Sequence, residues 1–341
     1  MKRLPIVLSL SLSLLAATAH AQTTVTPQSS GVDVRLRGIS AVDASVAWAS
    51  GRAGTVLRTV DGGATWQAVG VPGAKELDFR DVEGFDAETA VVLSIGPGQA
   101  SRVYRTVDGG KSWVLVLQNT DERAFLDCMA FDGQRGWLMG DPVDGAFQVY
   151  ESGDGGANWT LQPAGMPPAA KDEAAFAASG TCIAATPWDR RMIVTGGGAA
   201  RVIMDGADTD AWTAHATQVP ARVPAAGIFS AAPAGDDMLL VGGDFEHEAT
   251  GSAALAIAGD DGSLRVSLLP DPNGYRSGVA CAGDAQPRCV AVGPNGVDLL
   301  ANGRWQSLST TGYDAIDLAG NTGWASGDQG RIARIEITPA P

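Results

Sequence analysis

Apolar and polar residues alternate in short runs along this chain, and no helical period is sustained over three turns. Thr55-Val56-Leu57-Arg58-Thr59 and Thr65-Trp66-Gln67-Ala68-Val69 each read as a strand with one covered face. The Asp-Gly-Gly between them suits the tight turn of a hairpin. A second pattern, two apolar residues, any residue and a glycine, recurs seven times and ends at Gly51, Gly96, Gly140, Gly196, Gly242, Gly293 and Gly327. Only residues 169–178 have the composition of a short helix.

The strongest signal is self-similarity. Thr59 to Trp66 (TVDGGATW) returns as Thr106 to Trp113 (TVDGGKSW) and as Ser152 to Trp159 (SGDGGANW), with Trp-to-Trp steps of 47 and 46 residues. That period, at about four strands per repeat, is the size of a propeller blade. The expected fold is therefore all-β: a single seven-bladed β-propeller of four-stranded antiparallel blades over residues 22–341. Later blades lack the full box but keep Trp212 and Trp305 near its place, and 259–262 (GDDG) reads as a degenerate turn of the same kind. The last blade is short of a strand, which the mature N-terminus, around residues 32–36, would supply, removing an exposed edge. Asp61, Asp108 and Asp154 are expected to hold turns, and Trp66, Trp113 and Trp159 to cover thin blades, in preference to catalytic or ligand-stacking roles.

Met1-Lys2-Arg3 precedes an apolar run and Ala19-His20-Ala21, which reads as a secretory leader over 1–21 cleaved after Ala21. Removing Lys2 and Arg3 takes the formal charge from −14 to about −16. An acidic chain without a basic stripe is a poor nucleic-acid binder. No later segment is long and apolar enough to span a membrane, so the expectation is an exported monomer, periplasmic or secreted. The four cysteines fit an oxidising compartment, with Cys128–Cys182 and Cys281–Cys289 the favoured of three pairings.

In four-stranded blades the Asp-Gly-Gly turns lie on one face; first-strand starts and second-to-third-strand turns lie on the other. The second face is expected to carry Arg37, Arg80, Asp127, Asp141, Glu173, Asp244, Tyr275 and Arg276, with Arg123, Tyr313 and Asp328 near the same rim. Mixed guanidinium and carboxylate groups around a depression suit carboxylates, sugars or a polar loop of a partner. Catalytic and metal-binding sets are not expected: His215 and His247 are the histidines left after the leader, without HExxH or a Cys/His cluster. Asp244-Phe245-Glu246-His247-Glu248 is the one local group with ligand chemistry. No cofactor is expected, since Gly196-Gly197-Gly198 lacks the dinucleotide pattern.

The boxes ending at Trp66, Trp113 and Trp159 resemble those of bacterial neuraminidase (BNR) repeat proteins, and the seven-fold layout is similar to the photosystem II assembly and stability factor family. That resemblance implies a non-catalytic platform for a protein partner, with arginines on one face; Arg37, Arg80 and Arg276 are the matching positions. Residues 140–145 and 173–180 also resemble bacterial members labelled glycosyl hydrolase or oxidoreductase. The competing function is a glycoside hydrolase of the sialidase kind, with Tyr275 or Tyr313 as nucleophile; its Phe-Arg-Ile-Pro motif is missing. The function expected is non-catalytic binding of an envelope protein or polysaccharide.

Overall fold

The computed structural model describes residues 23–162, 165–206, 211–259, 262–283 and 286–338. The expected leader and Asp260 and Asp261 of the expected turn lie outside them. Seven four-stranded antiparallel blades form a β-propeller. Blade one is Leu36–Ala41, Ala47–Gly51, Val56–Thr59 and Gln67–Ala68; blade two is Asp78–Gly84, Ala90–Ile95, Arg102–Thr106 and Val114–Gln118. Blade three is Leu126–Asp132, Arg135–Val143, Ala146–Ser152 and Thr160–Leu161; blade four is Ile183–Ala185, Arg191–Val194, Arg201–Asp205 and Trp212–Ala216. Blade five is Ala226–Ala234, Asp237–Asp244, Gly251–Ala258 and Leu264–Leu268; blade six is Gly278–Ala282, Arg288–Gly293, Gly296–Ala301 and Arg304–Ser309. Blade seven is Ala315–Ala319, Thr322–Ser326 and Arg331–Glu336, completed by Thr24–Ser29. Five of the seven recurring glycines lie at or just beyond the ends of second strands, while Gly140 and Gly242 lie inside theirs.

The strand that closes the ring is thus Thr24–Ser29, upstream of the expected 32–36, and Leu36 instead opens the inner strand of blade one. Gln28 explains the choice. Its amide nitrogen donates to the Gly62 carbonyl, while its oxygen accepts the indole N–H groups of Trp66 and Trp324. Closure is written in one polar side chain rather than in an apolar pattern. The expected helix at 169–178 is also corrected: Glu173–Ala174 is extended and pairs with Gly196–Gly197, which continues the sheet of blade five inward. Glu173 is buried and bound to Arg201 and Thr195, and this anchors the segment in extended form.

Neighbouring inner strands are tied by side chains that accept backbone N–H groups. Ser40 takes Gly84 N at 3.1 Å, Asp81 takes Met129 N at 2.7 Å, Ser230 takes Val279 N at 3.0 Å and Asp317 takes Ala41 N at 2.7 Å. Each bond crosses from one blade to the next and pairs a group that burial would otherwise leave unsatisfied. Cys128–Cys182 covalently joins blade three to the start of blade four, and Cys281–Cys289 bridges the first hairpin of blade six.

The three Asp-Gly-Gly turns share one bonding scheme. Asp108 accepts the backbone N–H of Ser112 at 2.9 Å and its hydroxyl at 2.6 Å, while Thr106 Oγ1 accepts Gly110 N at 3.0 Å. Asp61 and Asp154 do the same with Thr65 and Asn158. Both glycines of each turn have positive φ, which disfavours a side chain there. The hydrogen bonds from Ser112 and Asn158 hold the Asp108 and Asp154 carboxyls down to about 2. These carboxylates are saturated by their own turns.

Candidate functional site at the upper mouth of the axial channel

The upper end of the ring axis is taken here as the end where the inner strands begin, opposite the Asp-Gly-Gly turns. In blades one, two, three and five the first hairpin carries a bulge near that end, with register shifts across Leu36/Gly38, Phe79/Asp81, Leu126/Cys128 and Ile228/Ser230. The unpaired residues are Arg37, Arg80, Asp127 and Phe229. A bulge re-aims a side chain out of the sheet pattern, and all four line one cavity of about 440 Å³ at the upper mouth. That volume is in the range of small-molecule and peptide side-chain sites.

Three arginines stand on one side of this cavity, in different states. Arg35 is committed: its Nε and Nη2 grip both oxygens of Asp314 at 2.8 and 2.7 Å. Arg80 donates to Asp78 at 3.1 Å and to the Ala177 carbonyl at 2.9 Å. Arg37 has no hydrogen-bond or ion-pair partner among the described residues, and its Nε is buried and unsatisfied. Burial pulls this guanidinium down to about 10, with Arg80 and Arg35 adding repulsion and Asp314 opposing the shift.

Facing the arginines is an acid pair from blade three. Asp127 is 1% exposed, and its Oδ2 has no partner. Burial pushes its carboxyl well above the ordinary range, and the nearby Asp141 adds to the shift. Asp141 accepts Ala175 N at 3.0 Å, and burial raises it too. The remaining wall is aromatic. Phe176 stacks on Phe229 with centroids 3.8 Å apart, Tyr275 meets Phe229 edge-on at 4.7 Å, and Phe245 stands edge-on to both phenylalanines. Such a wall offers apolar area beside a charged group, a combination that favours amphipathic ligands.

Of the residues expected on this face, Arg37, Arg80, Asp127, Asp141 and Tyr275 come together at the cavity. Three do not. Arg276 is 1% exposed and points away from the mouth, with its Nε 3.1 Å from Asp298 and its Nη1 2.7 Å from Asn295. Glu173 is buried under Arg201. Asp244 caps its own turn, accepting Glu246 N at 2.9 Å and lying 2.9 Å from His247 Nδ1. On the rim, Arg123 is spent on Asp121 and Asp144, and Tyr313 is buried. Sequence reasoning did not place Arg35, Asp314, Phe176 or Phe229 here, and it named Phe245 and Glu248 only within the local group at 244–248. Phe229 sits at the bulge of its inner strand as Arg37 and Arg80 do in theirs, but in the sequence an apolar residue there reads as core.

A second axial cavity, of about 410 Å³, opens at the lower end and is lined by residues from all seven inner strands. Asp81, Glu83 and Asp317 face it. Burial raises all three carboxyls, that of Asp317 to about 6.

No family model matches the sequence, and no curated protein sequence matches it. Solved structures do resemble the fold. YCF48 from Cyanidioschyzon merolae superposes with a TM-score of 0.66 at 16% identity, covering 93% of this chain and 99% of that one. YCF48 bound to D1 peptide gives 0.62 at 15% identity, covering 95% and 100%. Virginiamycin B lyase from Staphylococcus aureus gives 0.65 at 12% identity, covering 93% and 100%. At such identities the likeness is one of fold alone, and it spans propellers that bind and propellers that catalyse.

Proposed function

We propose that this propeller is an exported, non-catalytic binding platform of the cell envelope, and that it holds a carboxylate-bearing segment of a partner protein at the upper mouth. The observation that carries this reading is Arg37: a charged guanidinium without an acceptor, aimed into a cavity whose other arginines are already paired. A guanidinium left this way is unfavourable until a ligand supplies an anion. The aromatic wall beside it would cover an apolar part of the same segment. YCF48 bound to D1 peptide is a propeller of this shape holding a protein segment, and the leader and two disulfides support export. The repeat boxes support kinship with the BNR-type propellers.

A sialidase-type hydrolase fits the site less well. Its nucleophile would be Tyr275, whose phenol is pushed up by burial and is bonded to no carboxylate among the described residues. Affinity capture from envelope extract, comparing the wild type with Arg37→Glu, tests the proposal. Captured protein should disappear with the variant while its melting temperature holds; equal capture would place the contact elsewhere. Turnover of a fluorogenic sialoside or uronide that vanishes in Arg37→Ala would replace the platform with a hydrolase.

A further inference from the structure

Two atoms in the wall of the upper cavity lack partners: Arg37 Nε and Asp127 Oδ2. They belong to different blades, and bulges direct both residues inward. What they require can be deduced separately. Arg37 is a donor and requires an acceptor. Asp127 is 1% exposed and stands next to a second buried carboxyl, Asp141. An ionised carboxylate there, with one oxygen unsolvated and unbonded, would be strongly unfavourable. The neutral acid avoids that cost, and its free O–H is then a donor as well. Both orphan groups therefore require the same ligand feature.

We propose that Asp127 serves as a neutral carboxylic acid that shares its proton with the carboxylate of a ligand held by Arg37, so that this cavity selects aromatic or apolar organic carboxylates. The inference rests on the site assignment above and adds to it the ligand chemistry and a specificity-determining residue. One carboxylate oxygen would lie on the guanidinium and the other would accept the Asp127 O–H, while the carbon chain lies against Phe176 and Phe229. When the acid ionises, the donor is lost and a negative charge faces the ligand's own, so affinity falls as pH rises.

Other charged groups reach the cavity. Asp141 comes from the same blade as Asp127, and Arg80, paired with Asp78, from blade two. Arg35 and Arg37 come from blade one, with Asp314 preceding blade seven. Glu248 comes from the second-to-third-strand loop of blade five and Tyr275 just precedes blade six, whereas the segment at 175–178 brings no titratable side chain. Arg37, at about 10, keeps its charge through neutral pH.

Calorimetric titration with phenylacetate, with inorganic phosphate as the second probe, decides the matter. The wild type should bind phenylacetate, with Kd rising at least about tenfold between about pH 5 and about pH 9. Asp127→Asn, whose amide still donates, should bind across the range with most of that dependence removed, and Asp141→Asn should retain it. Circular dichroism and melting temperature confirm that each variant is folded. Absence of phenylacetate binding, a pH-independent wild type, full pH dependence in Asp127→Asn, or equally tight binding of phosphate would each overturn the inference. Arg37→Ala separates the two levels. If it leaves phenylacetate affinity unchanged, the site assignment itself fails; if it abolishes binding while Asp127→Asn changes nothing, only the role of Asp127 fails.

Discussion

At the lower end of the axial channel, Ser40, Asp81 and Asp317 point toward the axis, and each already accepts a backbone N–H from the next blade. At the upper mouth, Arg37 and Asp127 also occupy inner strands, of blades one and three, and keep unsatisfied atoms. The lower set joins blades; the upper set leaves bonding capacity open to a ligand. A polar residue facing the axis is therefore no sign of a binding site in itself. What distinguishes the two ends is whether the protein has already satisfied the group, a question of partners rather than of residue type.

Four measurements can break or sharpen that contrast. The largest effect is expected for Arg276→Ala, which strands the fully buried Asp298 and should cost about 3–5 kcal/mol in denaturant unfolding. A smaller loss would mean that Arg276 is less integral to the frame than its burial implies. Second comes pH. Asp81, Glu83 and Asp317 titrate higher in the folded state than in an unfolded chain, so the native form binds more protons. Melting temperature should accordingly fall as pH rises from about 5 through about 6 and beyond. The depressed Asp108 and Asp154, near 2, add stability as pH rises only until about pH 5, below that window. A melting temperature that climbs through the window would contradict the cost of burying these carboxyls at the lower cavity.

Third, Ser40→Ala should cost about 1–2 kcal/mol, because Gly84 N–H loses its acceptor while buried. Smallest in stability is Arg37→Ala. Removing a guanidinium that no protein group satisfies should leave the unfolding free energy nearly unchanged while abolishing ligand capture. If Arg37→Ala and Ser40→Ala destabilise alike, the two ends of the channel do not differ in the way described.

Blade number and blade order were legible because their signals are local: three turns whose donors and acceptors lie within eight residues, and seven glycines in or near the second halves of second strands. The closing strand was misplaced because Thr24–Ser29 lies at an edge, so only Val25 of its side chains packs on the core. Residues 32–36 alternate more cleanly, yet it is the partners of Gln28 that decide. Arg276 was misjudged for a similar reason: its acceptor, Asp298, is 22 residues away on the third strand of its blade. The bulges explain the partial success at the site. Charged residues at inner-strand starts stood out as Arg37, Arg80 and Asp127, but no sequence pattern marks the extra residue that turns Phe229 toward the same cavity.

The clasp formed by Thr24–Ser29 also has a mechanical side. Thr24 lies opposite Glu336 and Ser29 opposite Arg331, so the chain enters and leaves this strand pair at the same end. Its interstrand hydrogen bonds lie across the strands. Tension applied between the residues before Thr24 and those after Glu336 would load them one after another from that end, as a zipper is opened, instead of all together in shear. A ring held firmly against thermal opening would thus part readily under directional pull, with blade seven giving way first.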